Sequence, residues 1–208
     1  MEVQYYGANC VRITTKKASI IVDDNLADLG LKSVTKDSDI ALYTSPNVKQ
    51  VQNSKFTIDA PGEYEVSNTS FKGVAARGHM EEEGKQGATI FRIISDDIRI
   101  VFVGHIYPEL TDEQLEAIGT VDVLVIPVGG SGYTLDPVGA LKVIKKIEPK
   151  LIIPTHYADK AVKYEVPQQT LEEAMKVLAI EAKPAEPKLK LKATELSEQV
   201  QVAILERQ

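Results

Sequence analysis

Val121-Asp122-Val123-Leu124-Val125-Ile126-Pro127 is a compact apolar run, closed by Val128-Gly129-Gly130. A run of this length, rich in β-branched residues and bounded by glycines, reads as a strand. It does not alternate with polar residues, so it predicts a strand buried on both faces. Further along, Asp136 then Pro137 gives a helix N-cap followed by proline at the first helical position. That helix runs to about Ile147, with Ala140, Val143, Ile144 and Ile147 on one face. Leu151 to Pro154 is a second continuous apolar run. Upstream, Thr111 with Gln114 forms a capping box, and Gly119 is a stop. Downstream, Thr170 with Glu173 forms another, ahead of Leu171, Ala174, Met175 and Leu178. The second half therefore alternates helix and strand.

The first half is strands. Val11–Thr14, Ser19–Val22, Ile40–Tyr43, Phe56–Ile58 and Ser70–Ala75 are short apolar runs between turn residues. Ala88–Ile94 and Ile98–Val103 are joined by Ser95-Asp96-Asp97, a hairpin turn by composition. Lys183 to Pro187 reads as a Pro/Lys/Glu linker, Leu189–Lys192 as a half-exposed strand, and Val200–Leu205 as a last apolar strand. This pattern is α/β or α+β: two sheets with helices on the outer faces. One domain over 1–208 is expected, with 184–208 as a C-terminal strand extension.

The 208 residues are 43% hydrophobic and 26% charged, ordinary for such a domain. No apolar run reaches the ~20 residues of a membrane span. The start, Met1 to Tyr6, lacks the basic and apolar segments of a signal peptide. The single cysteine, Cys10, excludes an intrachain disulfide and suits a reducing cytoplasm. A net charge of -6 argues against nucleic acid as a partner. The local basic runs, Lys142 to Lys150 and Lys188 to Lys192, are interleaved with apolar residues and read as solvated faces.

Several ordered fragments carry a family resemblance: Tyr6-Gly7-Ala8-Asn9-Cys10, Ile20 to Asp23, Pro61-Gly62-Glu63-Tyr64-Glu65-Val66, Leu110 to Leu115, Val121 to Gly130, Tyr133 to Asp136, and Ile153-Pro154-Thr155-His156-Tyr157. Together they resemble the metallo-β-lactamase superfamily. The similarity is greatest to the prokaryotic branch of small Zn-dependent hydrolases of the β-lactamase fold, related to the ascorbate-6-phosphate lactonase-like group. The resemblance implies a four-layer αββα sandwich with a cleft at one edge of the two sheets. In active relatives that cleft holds one or two metal ions, usually zinc, and a metal-bound water is the nucleophile.

Active relatives carry His-x-His-x-Asp-His after the Asp39–Thr44 strand. Here Ser45, Asn47, Lys49 and Gln50 stand at those four ligand positions, and Ala8 replaces an early histidine. Serine and the two amides offer neutral oxygen, a poor donor set for zinc. Lys49 either turns into solvent or puts its ammonium where a dication sat, held by Asp23. The chain's three histidines, His79, His105 and His156, nevertheless fall at or beside family ligand positions. Three imidazoles plus water suffice for zinc, although in the family the ligands near His79 and His156 serve different metals. By the resemblance, Tyr107 and Tyr133 lie near the cleft, and the bulk of Tyr107 fills it. A Ser45–His156–Asp23 triad can be written but has no supporting spacing. Glu81-Glu82-Glu83 reads as a solvated loop that could offer a carboxylate to a hard cation.

The expectation is a catalytically degenerate member with no cofactor, a pseudoenzyme kept for binding or assembly. The first alternative is a hydrolase with one Zn or Mn ion on His79, His105 and His156, acting on a phosphorylated or lactone-like small molecule. The second is a structural protein that forms homo-oligomers through its C-terminal strands, where Leu189 to Lys192 could extend a sheet edge.

Overall fold

The computed structural model describes every residue of the chain except Asn47. The strands are β1 (Glu2–Gly7), β2 (Cys10–Thr14), β3 (Ser19–Val22), β4 (Ile40–Leu42), β5 (Phe56–Ile58), β6 (Gly62–Val66), β7 (Thr69–Ala76), β8 (Ala88–Ser95), β9 (Ile98–Phe102), β10 (Val123–Pro127), β11 (Leu151–Thr155), β12 (Ala182–Glu186), β13 (Leu189–Lys190) and β14 (Gln201–Leu205). The helices are α1 (Asp112–Ile118), α2 (Pro137–Ile147) and α3 (Leu171–Leu178). One sheet has the order β13-β1-β2-β3-β4-β5, the other β12-β14-β11-β10-β9-β8-β7-β6.

The expected two-sheet α/β sandwich is present. β9, β10, β11 and β14 run parallel, and all five residues of β10 and of β11 are buried, as their unbroken apolar runs require. Between the sheets lies a core that includes Tyr5, Val11, Ile20 and Leu42 from one side and Phe71, Phe91, Ile100 and Ile153 from the other. On the outer face of the larger sheet, Ile118 of α1, Val143 and Ile147 of α2 and Ala174 of α3 pack over Val101, Leu124 and Ile152. Both capping boxes form, and Asp136 Oδ1 accepts the Gly139 N–H at 2.6 Å.

The fourth layer is a turn-rich segment, residues 24–38, in place of a helix. Its Leu26, with Leu31 and Val34, packs on Cys10, Ile21, Ala41 and Tyr43 of the smaller sheet. Two buried carboxylates organise it. Asp24 Oδ2 accepts from the Ser33 and Thr35 hydroxyls and the Val34 and Thr35 amides at 2.6–2.8 Å. Arg12 Nη1 donates to Asp39 Oδ1 at 2.7 Å, and Nη2 donates to the Val34 carbonyl.

Two readings of the chain are corrected. Most of the expected Lys183–Pro187 linker lies in β12 (Ala182–Glu186), an exposed edge strand parallel to β14. The predicted 189–192 strand shrinks to Leu189–Lys190, paired antiparallel with Val3 and Glu2 of β1. The Pro61–Val66 motif contains an additional edge strand, β6. Among the described residues no helix is long and apolar enough to cross a membrane.

Candidate functional site

The cleft is built where strands end. β1 and β2 meet at a tight turn through Ala8 and Asn9; β3 ends before Asp23, β4 before Tyr43 and Thr44, β9 before Gly104 and His105, and β11 before His156. At four of these ends the backbone enters the left-handed region: Ala8 (φ 48°), Asp23 (φ 50°), Gly104 (φ 58°) and His156 (φ 52°). A non-glycine residue there costs about 1 kcal/mol. Gly104 has a second constraint, because a Cβ would lie 2.1 Å from the Thr44 hydroxyl oxygen.

A cavity of about 80 Å³ opens at this edge, lined in part by Asn25, Ser45, His79, Glu81, His105 and Tyr133. The three histidines differ in which nitrogen is free. His79 Nδ1 faces the Ile106 carbonyl at 3.2 Å, so it carries the proton and Nε2 keeps its lone pair. His156 Nδ1 faces Gln168 Oε1 at 3.2 Å, an oxygen fixed by the Gln168 amide donating to the Val166 carbonyl. Its Nε2 is likewise the lone-pair nitrogen. His105 is the reverse. The Thr155 hydroxyl donates to Asn9 Oδ1 at 2.9 Å, which turns Asn9 Nδ2 toward His105 Nε2 at 3.1 Å and occupies that lone pair. His105 Nδ1 is buried with no hydrogen-bond partner.

The rings pack on one another rather than around a point. His105 meets His156 edge-on at 4.8 Å between centroids and Tyr133 edge-on at 5.0 Å, while Tyr164 tilts over His156 at 4.7 Å. Burial pushes His156 down to about 4. Burial, and then the neighbouring His156 and His79, hold His105 well below the ordinary imidazole range. These two imidazoles are neutral at pH 7. Asp23 is 2% exposed; burial raises its carboxyl to about 6, against the lowering effect of bonds from the Thr44 hydroxyl (2.6 Å) and amide (2.8 Å).

Other expected site residues lie outside this group. Lys49 is not held by Asp23: its Nζ is 3.7 Å from Asp28 Oδ1, and both side chains are exposed. A long hydrated ammonium gains more from water than from a carboxylate already satisfied by Thr44. Gln50 donates to Asp59 at the surface, at 2.6 Å. Tyr107 does not fill the cavity; its ring lies 3.9 Å under the Arg77 guanidinium, a cation–π contact on the rim. Ala8 is buried, and its carbonyl accepts the His156 N–H at 2.8 Å. Asn47 lies outside the described residues. The Ser45–His156–Asp23 triad is not assembled, since Asp23 serves Thr44 and His156 Nδ1 serves Gln168. Cys10 is fully buried, its thiol pushed well up by burial and by Asp24 and Asp23.

Two contributors, Asn9 and Gln168, carry no mark of their role in the sequence, and a third, Glu81, expected in a solvated loop, has a different one. Asn9 lies in the Tyr6–Cys10 motif, but nothing there marks it as the partner of His105. Glu81 is a structural carboxylate, its Oε2 accepting the Gly78 and Gly87 amides at 2.7 and 2.9 Å and so shaping the loop that carries His79. Gln168 lies in an irregular segment with no motif.

The fold family implies a metal, and the donor set tests it. Among the described residues no three His, Cys, Asp or Glu side chains are grouped to hold an ion. His79 and His156 have free Nε2 atoms, but the Nε2 of His105, the third ligand a His-only zinc site needs, faces an amide donor. As oriented, the three imidazoles do not present their Nε2 atoms as one ligand set; the nitrogen that His105 leaves without a partner is its buried Nδ1.

A two-sheet sandwich flanked by helices, with a cleft formed by strand ends, defines the metallo-β-lactamase class of fold. The profile of the Beta-lactamase superfamily domain matches residues 2–156. The chain belongs to that superfamily. It is 27% identical over 120 residues to the UPF0173 metal-dependent hydrolase of Thermoplasma acidophilum; the match covers 56% of this chain and 52% of that protein, so the chain spans about half the length of this curated relative. Among solved structures, it resembles a Thermotoga maritima protein assigned to the Zn-dependent hydrolases of the metallo-β-lactamase superfamily, with TM-score 0.75, 24% identity, and coverage of 99% and 98% of the two chains. It also resembles Igni18, a metallo hydrolase from Ignicoccus hospitalis, with TM-score 0.60, 16% identity, and coverage of 92% and 99%.

Proposed function

We propose that this chain is a metallo-β-lactamase-fold protein with a degenerate metal site, acting as a binding protein and not as a dinuclear hydrolase. One observation carries the reading: Asn9 donates to His105 Nε2 and withdraws that nitrogen from any ion. The positions of the family's His-x-His-x-Asp-His ligands support it, since Lys49 and Gln50 turn out to Asp28 and Asp59. The cavity then offers imidazole and hydroxyl groups, and its Glu81 carboxylate is already engaged by backbone amides. Such a site hydrogen-bonds a small polar molecule.

The alternative, a metal-dependent hydrolase with one Zn or Mn ion, is favoured by a specific feature. His79 and His156 both direct Nδ1–H to an oxygen and keep Nε2 free, which is how ligating histidines are oriented by their outer partners. The name of the Thermoplasma relative points the same way. One experiment separates the two. Untagged protein is incubated with zinc or manganese, dialysed, and measured for bound metal, with His79→Ala and His156→Ala as controls. The binding-protein reading expects metal far below one ion per chain. Stoichiometric metal lost in both variants overturns it.

A further inference from the structure

The two basic runs that read as solvated faces in the sequence do not stay separate in the fold. Lys150, at the end of the first, and Lys190 and Lys192, in the second, line one small pocket together with Lys183 of β12. The pocket has a volume of about 100 Å³ and a floor that includes Leu151, Leu189 and Leu191, all buried. It sits where β11 begins, whereas His156 follows the end of that strand. Five strand residues separate them, about 16 Å at ~3.3 Å per residue. It is therefore a different site from the histidine cleft.

Four lysines line the pocket against one carboxylate, Glu195. Glu195 pairs with Lys192 at 2.6 Å, and Glu198, in the adjoining loop, pairs with Lys150 at 2.8 Å. Lys183 and Lys190 pair with no carboxylate among the described residues. The local charge is thus positive on a chain whose net charge is -6. Ammonium groups concentrated around a concave surface with an apolar floor raise the local anion concentration. Ser197 and Gln201, also in the lining, supply neutral hydrogen-bonding groups.

We propose that this pocket is an oxyanion site that takes a phosphate or phosphoryl group. It draws lysines from β12, β13 and the start of β11, so an anion there would tie the edge strands of both sheets, β12 and β13, to each other. The inference is independent of the histidine cleft.

The test is an amide NMR titration of the full chain with inorganic phosphate, pyrophosphate and ATP, at constant ionic strength set with chloride. Saturable shifts confined to residues 150–151, 183, 189–192 and 197–201 are expected, weakened at least tenfold in Lys183→Ala/Lys190→Ala. Both side chains are exposed, so the variant keeps its fold, which an unchanged spectrum elsewhere verifies. Saturation by all three probes identifies phosphate itself as the ligand; saturation by ATP alone identifies a nucleotide. Shifts that grow linearly with every anion, or that survive the double substitution, overturn the proposal and leave these lysines as guards against edge-to-edge association.

Discussion

Arg12→Met isolates the contact that holds the irregular fourth layer. The side chains of Arg12 and Asp39 are 5% and 0% exposed, and their N–O distance is 2.7 Å. Arg12 also donates to Ser19 Oγ at 2.7 Å and to the Val34 carbonyl, linking β2 to the 24–38 segment. Removing the guanidinium leaves a buried carboxylate with the Ser19 hydroxyl and the Lys36 amide as its remaining donors. Breaking a buried pair from one side costs about 3–5 kcal/mol. The surviving Ser19 and Lys36 bonds place this loss near the lower end, about 3 kcal/mol, a fall of about 1.5 M in the urea midpoint if the slope is about 2 kcal/mol per molar.

The pH dependence carries the sharper signature. Burial alone would raise the Asp39 carboxyl, but the bonds from Arg12, Ser19 and Lys36 outweigh it and hold the group below its ordinary value. In the wild type its contribution is therefore complete above the unfolded carboxyl pKa of about 3.9, and is lost as pH falls through the lower folded value. In Arg12→Met the burial effect is opposed only by the Ser19 and Lys36 bonds, so the carboxyl rises and the variant's deficit shrinks from pH 7.5 toward pH 4. Far-UV circular dichroism in urea at both pH values measures this. Adding Asp39→Asn to Arg12→Met should recover stability at pH 7.5, because it removes the stranded charge. A double variant whose loss equals the sum of the two single losses would refute the pairing argument.

Ala8→Gly should stabilise the protein by about 0.5 kcal/mol in thermal unfolding, since relief of the left-handed Ala8 (φ 48°) outweighs the added entropy of glycine in the unfolded chain; a loss of stability would show that Ala8 is unstrained. Asp23, raised to about 6, binds a proton more tightly when folded, so its penalty builds between about pH 4 and 6 and reaches about 3 kcal/mol above that. Asp23→Asn should accordingly exceed the wild type in urea stability at pH 7.5 and converge on it near pH 4. Asp136→Ala removes the cap on the Gly139 amide and should cost about 1 kcal/mol by the same assay. Cys10, buried and with a raised pKa, should react with a thiol reagent at the rate of global unfolding, and fast labelling of folded protein would contradict its placement.

The parts of the fold that were readable are those whose own sequence pays for their burial. β10, β11 and the face of α2 carry continuous or periodic apolar residues, and Thr111, Asp136 and Thr170 announce helix starts through bonds that span three residues. β12 could not be read this way. Ala182-Lys183-Pro184-Ala185-Glu186 is exposed throughout, and its extended form depends on pairing with β14, a partner that begins at Gln201. An edge strand tolerates Pro184 because one side of it makes no ladder bonds. The site divides along the same line. The positions of the three histidines followed from the family resemblance, but imidazole chemistry depends on which nitrogen keeps its lone pair. That is decided by Asn9, Ile106 and Gln168, which lie 96, 27 and 12 residues from His105, His79 and His156 respectively. Ile106 and Gln168 belong to no motif, and Asn9, although it lies in the Tyr6–Cys10 fragment, is not marked there as a partner of His105. A ligand count taken from the sequence therefore registers three equal imidazoles, where the fold makes two available and commits the third to Asn9.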